Sequence, residues 1–402
     1  MNRNLSCINY VIYIGLLFYL LIDTIAGILI SKGLPNIGLL FKGFLIFLMI
    51  FSIAAKKKSY PIIISFLFSL LSMYAIYWCI IDLKHFAKCF TNLFKIFSII
   101  IVFMYCKNEL TDDDISVIFK VNYCIFVLNI ILGALGFGNT SYQYNGETVG
   151  TNGFFYAGNE VTYTFICLLF FITYAYKGKK TLFYLFNLFL SFLIGTKTGM
   201  LVVLLVLFSD MYFSTTNKMK KRMIVFSFIL FIILIYFFIK LVLYNNILVQ
   251  MIIFKFKQNS KAGHSILNAL LSGRIERIPM IDDIYNSSWT VVKSLFGLGY
   301  IEINKHTLEM DFFEMFYYYG IVGLFILLLF YLYLIVNAYI RQDKKQIVFI
   351  IITIFVSFFV GHVTYSVMGG VFFCLANRNL KEININLGIK KRVTKACKLL
   401  LK

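Results

Sequence analysis

The sequence is poor in charged residues and almost devoid of proline. Only 14% of its 402 residues are charged and 3 are proline, whereas soluble domains contain about 25% charged residues. The 8 cysteines include no Cys-x-x-Cys pair, which argues against a disulfide framework and against a cysteine-ligated metal site. These absences exclude a soluble globular protein, a disordered chain and a disulfide-stapled module.

Apolar sequence is abundant instead. Hydrophobic residues make up 60% of the chain, the mean hydropathy is +0.85, and several apolar runs are long enough to cross about 30 Å of hydrocarbon. A transmembrane β-barrel would instead alternate apolar and polar residues over about 10 positions. The sequence therefore predicts an all-α polytopic membrane protein with a single transmembrane domain, 1–376, and a basic cytoplasmic tail, 377–402.

The clearest apolar runs are each predicted to be one transmembrane helix. Two longer runs, 181–213 and 346–376, have lysines and arginines on both flanks. Basic flanks are cytoplasmic, so each long run needs an even number of crossings and is predicted to be a helical hairpin. The first is expected to break at Gly195–Gly199, and the second at Gly361–His362 and again at Gly369–Gly370. The single-helix runs are 7–30, 37–55, 61–81, 89–106, 115–136, 158–176, 223–244 and 312–336.

This arrangement has about twelve transmembrane helices, with both termini in the cytoplasm. The net charge of +20 is then mainly a topology signal that also favours anionic lipid headgroups. The predicted partner of this charge is the lipid bilayer and not nucleic acid. Four lysines, Lys42, Lys95, Lys120 and Lys240, fall within or near the ends of spans, where snorkelling to the headgroups accounts for most of them.

Two outer segments are longer than turns, 137–157 and the large loop 245–311, and long loops are usually functional or disordered. The large loop is expected to contain short helices lying against the membrane, and it concentrates the outward-facing ionisable residues. Arginine binds phosphate through two oxygens at once, and a carboxylate or histidine takes a proton from a hydroxyl nucleophile. The candidate residues are Arg274, Arg277, His306, Glu309, Asp311 and Glu314.

Most of these residues also have an ordinary structural explanation. Arg274 and Arg277 are three positions apart, so a solvated helix face explains their spacing equally well. Asp311 is favourable in the first turn of any helix. Glu314 is the exception, because a charge near the start of an apolar helix is costly unless it faces a polar cavity.

Three further positions stand out. Lys197 lies in a polar break between glycines, where it either snorkels to water or offers a cation to an anionic ligand in a cavity. Glu147 lies among the aromatic and amide side chains of 137–157, which suit carbohydrate, although an interfacial aromatic belt is the favoured explanation. His362 is either an interfacial packing residue or a cavity residue.

Taken in order, several short motifs resemble the O-antigen ligase and repeat-unit polymerase (Wzy-type) family of bacterial envelope glycan enzymes. The resemblance covers about 150–376, and the first five spans match only in being spans. The motifs are Thr151–Phe155 followed by Gly158–Glu160, Gly195–Gly199, Ser272–Arg274, Gly297–Gly299, Glu309–Asp311, Tyr319–Gly323 and Gly361–His362.

The resemblance implies a GT-C-like glycosyltransferase of the bacterial inner membrane that needs neither metal nor other cofactor. Its donor would be an undecaprenyl-pyrophosphate-linked oligosaccharide on the outer face, and a chain-length regulator would be a further partner. By matched position, the pyrophosphate would be held by Arg274, Lys197 and Arg277. The acceptor would be oriented or deprotonated by His306, Glu309 or Asp311, and the substrate bound by Asn159, Glu147, Glu314 and His362.

One departure from the family pattern affects the expected activity. In the ligases the outer-loop histidine is usually followed by Asn or a similar residue, whereas here His306 precedes Thr307. This favours a polymerase of O-antigen or capsular polysaccharide over a ligase and leaves the role of His306 open. A lipid-linked oligosaccharide flippase and a non-catalytic scaffold are the alternatives from other classes.

Overall fold

A computed structural model describes residues 3–55, 59–81, 83, 85–144, 147–176, 180–241, 274–302, 307–359, 361, 363–364 and 366–378. Helices make up almost all of this structure, and a 3-10 turn, Arg274–Glu276, precedes α11. The helices are α1 Arg3–Leu17, α2 Tyr19–Ser31, α3 Ile37–Ala54, α4 Ser59–Ile81, α5 Phe86–Glu109, α6 Asp112–Ala134, α7 Gly158–Ala175, α8 Thr181–Ile194, α9 Lys197–Ser214, α10 Lys218–Leu241, α11 Arg277–Ser287, α12 Val291–Phe296, α13 Asp311–Ile340, α14 Lys344–Phe359 and α15 Val367–Ala376.

Within the described residues, 6 helices are long and apolar enough to cross a membrane, and a bent pair would make 7. The long helices are α3, α4, α5, α6, α9 and α13, and the bent pair is α1 with α2. The predicted span 7–30 is therefore not one straight helix, because α1 and α2 meet at Phe18 with a bend of 60°. The chain is a multi-pass helical membrane protein, and the total of about twelve spans stays a prediction.

The first predicted hairpin is present. Gly195, in the left-handed conformation, ends α8, and the Thr196 side chain caps α9 by accepting a hydrogen bond from the Gly199 N–H. The two helices are antiparallel, because the Lys180 Nζ at the start of α8 lies 2.6 Å from the Asp210 Oδ2 near the end of α9. The break lies where the glycines predicted it.

The second long run is also a hairpin, with one break instead of two. The Gln346 amide near the start of α14 bonds to the Asn377 side chain just beyond α15 at 3.1 Å, so α14 and α15 run antiparallel. The predicted break at Gly369–Gly370 is wrong, because both glycines lie inside α15. They serve close packing: a Cβ on Gly369 would lie 2.3 Å from the ring of Tyr163.

The basic flanks of both hairpins lie at the same end of the helices. Asp210, buried in α9, accepts from Lys180 at 2.6 Å and from Lys345 at 2.8 Å. The parity argument requires these flanks to share one side of the membrane, and the ion pairs meet that requirement. That this side is the cytoplasm stays a prediction, and the tail beyond Arg378 lies outside the described residues.

The segment 137–157 contains a β-hairpin, so the fold is not purely helical. Strands β1, Asn139–Tyr144, and β2, Glu147–Gly153, pair antiparallel. The hairpin packs on the break between α8 and α9: the Ser141 hydroxyl donates to the Ile194 carbonyl at 2.7 Å, and a Cβ on Gly150 would lie 2.4 Å from the same oxygen. Short strands of polar residues carry little hydrophobic alternation, which is why the sequence indicated only a loop.

The contact between α2 and the residues after β2 leaves no room for a side chain at Gly27. A Cβ there would lie 1.8 Å from the Phe154 carbonyl oxygen, whereas a Cβ on Gly43 of α3 would meet nothing within 4 Å. We expect Gly27→Ala to lower the free energy of unfolding by about 1–3 kcal/mol through overpacking, measured by thermal unfolding in detergent. Gly43→Ala is the matched control and should change it by less than about 1 kcal/mol; equal effects of the two would contradict this packing.

Candidate functional site

Two arginines converge on one carboxylate at the end of the large loop. The 3-10 turn runs directly into α11, which places Arg274 and Arg277 about one turn apart on the same side. The Arg274 Nε lies 3.1 Å from one carboxylate oxygen of Glu309, and the Arg277 Nη1 lies 3.7 Å from the other. The arginine side chains are only 15% and 18% exposed, so a solvated helix face does not describe them.

The backbone of Glu309 is held in an unusual conformation. Its φ of 54° is in the left-handed region, which costs a non-glycine residue about 1–3 kcal/mol and is concentrated at functional sites. Its N–H donates to the Glu314 carboxylate at 2.8 Å, and a Cβ on Gly361 would lie 2.5 Å from the Glu309 Cα. The buried Glu314 and the close approach of Gly361 therefore fix the direction of the Glu309 side chain toward the arginines.

Asp311 joins the start of α13 to the segment between α14 and α15. Its side chain is fully buried, and its Oδ2 accepts from the Val363 N–H at 2.9 Å and from the Thr364 N–H at 2.6 Å. A first-turn acid would serve its own helix, whereas this carboxylate bonds to a different segment. Asp311 thus sets the position of the residues that follow Gly361 relative to Glu309.

The large loop is attached to α13 by a kink and by two tyrosines, Tyr317 and Tyr318. Gly320, with a φ of 66°, interrupts α13. Because the helix is broken there, the Tyr317 carbonyl is free to accept a hydrogen bond from the Leu298 N–H at 2.8 Å. The Tyr318 hydroxyl donates to the Ile301 carbonyl at 2.8 Å, and the Tyr317 hydroxyl donates to Asp282 of α11 at 3.0 Å. These bonds explain the glycine and tyrosine motifs, which position the arginine-bearing α11.

The same loop is attached to the N-terminal end of α5. The Lys88 ammonium lies 2.9 Å from Glu302 and 3.9 Å from the centre of the Tyr300 ring. The hydrogen bond from Lys88 holds the pKa of the Glu302 carboxyl below its usual value. Asp282 and Glu302 therefore tie the described part of the loop to α13 and to α5.

Lys197 is the first residue of α9, and its ammonium is enclosed by the fold. The preceding Thr196 hydroxyl lies 2.9 Å from the Thr162 hydroxyl of α7. Two residues earlier in α7, Glu160 accepts from the Ser366 hydroxyl at 3.2 Å, and Thr364, two residues before Ser366, donates to Asp311. These three hydrogen bonds, with the first turn of α7 and the chain before Ser366 between them, link the helix break at Lys197 to Asp311.

Of the four remaining predicted residues, the structure describes two. Asn159 is the second residue of α7 and is half-buried. Glu147 begins β2 and pairs with Tyr144. His306 and His362 lie outside the described residues, so their predicted roles stay predictions.

The structure also brings together charged side chains that the sequence analysis did not assign to a site. Asp23 of α2 forms a 2.7 Å ion pair with Lys42, and both are mostly buried, so snorkelling is the wrong explanation for Lys42. Lys95 and Glu160 line the same cleft as this pair. An acid inside the apolar run 7–30 was the available signal, because such residues are rare in spans and are usually functional.

Comparison with known proteins supports the family resemblance. A family model described as "O-antigen ligase like membrane protein" matches residues 255–381, which confirms the predicted resemblance over this stretch. The stretch includes Arg274, Arg277, Glu309 and Asp311 and excludes Lys197 and the β-hairpin. No curated protein and no solved structure matches the chain significantly.

Proposed function

We propose that the protein is a repeat-unit polymerase of a bacterial envelope polysaccharide, an O-antigen or a capsule. It transfers a glycan from undecaprenyl pyrophosphate to a hydroxyl of an acceptor repeat unit on the outer face of the inner membrane. The observation that carries the proposal is the convergence of Arg274 and Arg277 on Glu309, inside the stretch that matches the O-antigen ligase-like family. Paired guanidiniums beside a carboxylate provide both groups that the reaction needs.

In the proposed reaction the acceptor oxygen forms a bond to the anomeric carbon of the donor, and the bond from that carbon to the pyrophosphate breaks. The acceptor proton passes to a carboxylate, for which Glu309 is the candidate, with His306 a further one. The two arginines and Lys197 offset the charge that develops on the leaving pyrophosphate. Neither a metal nor another cofactor takes part in these steps.

The ion pairs of Glu309 suggest how the donor enters. Before binding, Glu309 neutralises part of the guanidinium charge. A pyrophosphate offers more oxygens in the bidentate geometry that arginine prefers, so it displaces Glu309, which is then free to accept a proton from the acceptor hydroxyl. Asp311 and Glu314 bond to backbone N–H groups, which gives them a positioning role in this scheme.

A ligase would use the same chemistry on a different acceptor. A flippase is the candidate from another class, and one observation favours it: charged side chains of α2, α3 and α5 line a cleft inside the helices. The ionisable cluster of the outer loop favours transfer chemistry, because a flippase has no need of a carboxylate held against two arginines.

Complementation of a gene deletion separates these functions. The deletion strain would receive the wild-type gene, Arg274→Ala or Lys197→Ala, and surface glycan would be separated on a gel. A polymerase predicts that both variants, at normal expression, show single repeats on the surface and no long chains. A ligase predicts that lipid-linked polymer accumulates without reaching its acceptor, a flippase predicts no surface repeats, and long chains from both variants would overturn the site assignment.

A further inference from the structure

A second polar site lies in a cleft at the ends of five helices, apart from the arginine site. The cleft has about 650 Å³ of empty space, its open mouth included. It is formed by the C-terminal half of α2 and the N-terminal halves of α3, α5, α7 and α15, and most of these elements precede the family match. Its charged lining consists of Asp23, Lys42, Lys95 and Glu160.

Three of these four charged residues lie well inside their helices. At 1.5 Å per residue, Lys42, Asp23 and Lys95 lie about 8–14 Å inside the ends of their helices. Ionisable residues at such depth mark sites or pathways by default. The pair between Asp23 and Lys42 satisfies only one oxygen of Asp23; its Oδ2 is buried without a hydrogen-bond partner in the described structure.

The balance of charge indicates the ligand class. Two ammonium groups and two carboxylates give the cleft no net charge, and a phosphate entering it would meet Asp23 and Glu160 as well as the lysines. A sugar hydroxyl both donates and accepts, so it can bond to a carboxylate and an ammonium together. The lining also has the apolar side chains Leu39, Val367 and Met368 and the exposed ring of Tyr156, which suit the apolar faces of sugar rings.

The cleft is next to the arginine site. Glu160, in its wall, accepts from Ser366 at 3.2 Å, and Thr364, two residues before Ser366, donates to Asp311. The segment that contains Val363, Thr364 and Ser366 therefore separates a net-neutral cleft on one side from the carboxylates and arginines on the other. A sugar seated in the cleft would present its hydroxyls toward this segment.

We propose that this cleft binds the sugar end of the acceptor as an uncharged carbohydrate, with Lys95 and Glu160 contacting its hydroxyls, while the pyrophosphate of the donor binds at Arg274 and Arg277. The assignment rests on the proposed function and names the place of its second substrate. It gives a role to residues of the first helices that the family match does not cover.

The test is calorimetric titration of the purified full chain in detergent with two probes. One probe is a neutral oligosaccharide released from the host's own surface glycan, and the other is inorganic pyrophosphate. We expect Lys95→Gln and Glu160→Gln each to weaken oligosaccharide binding by about tenfold or more and to leave pyrophosphate binding unchanged. Arg274→Lys is expected to weaken pyrophosphate binding and to leave oligosaccharide binding unchanged.

Lys120→Gln is the matched control, because Lys120 is a lysine of α6 that does not line the cleft. It should bind both probes like the wild type. Lys95→Arg keeps the charge and should retain more oligosaccharide affinity than Lys95→Gln, which separates ligand contact from misfolding.

Three results would overturn the proposal: a wild-type protein that does not bind the oligosaccharide, Lys95→Gln and Glu160→Gln variants that bind it normally, or a Lys95→Gln variant that loses pyrophosphate instead. Failure of the proposed function is distinguishable. It would appear as oligosaccharide binding with the expected losses in the cleft variants, together with pyrophosphate binding that does not depend on Arg274.

Discussion

Arg274→Lys is expected to lower the rate of glycan transfer by about 10²-fold or more, as when one preorganised donor to a developing charge is lost. Lysine keeps the charge but lacks the planar fork that bonds two oxygens together. Because the Arg274 side chain is 15% exposed and its Nε lies 3.1 Å from Glu309, water cannot readily substitute for the missing donors. The rate would be measured as polyprenyl pyrophosphate released from the host's lipid-linked repeat unit.

Arg222→Lys provides the control for this substitution. Arg222 is exposed in the first turns of α10, so the same change there should leave the rate within about twofold. An Arg274→Lys protein that folds and transfers glycan at the wild-type rate would show that bidentate recognition at Arg274 is not part of the reaction.

Asp311→Ala is expected to have the largest effect on stability. It removes the acceptor of two buried N–H groups, those of Val363 and Thr364, and each orphaned group costs about 1–3 kcal/mol. The free energy of unfolding should therefore fall by about 2–6 kcal/mol, and transfer should fail because Gly361 no longer positions Glu309. Thermal unfolding in detergent, followed together with the transfer assay, measures both effects.

Asp311→Asn separates the lost acceptor from the lost charge. The amide oxygen still accepts both N–H groups but forms weaker bonds than an ionised carboxylate, so stability should recover partly. Asp113→Ala, at an exposed position in the first turn of α6, should cost no more than about 1 kcal/mol. If Asp311→Ala were as mild as Asp113→Ala, the link between α13 and the segment 363–364 would not determine the site.

The parts of the fold that the sequence predicts are those set by composition and charge. Apolar runs give the helices, and the basic flanks required the two hairpins, whose ends meet at Asp210. Gly195 marked a real break because the chain adopts a left-handed conformation there. Gly369 and Gly370 did not mark a break, because glycine in a membrane helix also allows close packing. Only the position of Tyr163 shows that Gly369 serves packing and does not end a helix.

The site was predictable only as a set of candidates. The spacing of Arg274 and Arg277 in the sequence could not show that both reach Glu309. That contact depends on the kink at Gly320 and on hydrogen bonds from tyrosines of α13 to distant parts of the loop. The cleft was missed for a related reason: Asp23, Lys42 and Lys95 lie on three different helices. Lys42 and Lys95 each have an ordinary explanation alone, Asp23 was the one available signal, and their convergence is what indicates a site.

The most direct test of glycan transfer uses the purified full chain in detergent micelles with the host's lipid-linked repeat unit as both donor and acceptor. The account predicts that polyprenyl pyrophosphate is released as the glycan grows by whole repeats, and that Arg274→Lys and Glu309→Gln each lower both signals by about 10²-fold or more in folded protein. Release of lipid and growth of glycan at wild-type rates in both variants would contradict it. So would a wild-type protein that moves the lipid-linked repeat across a vesicle membrane without releasing pyrophosphate.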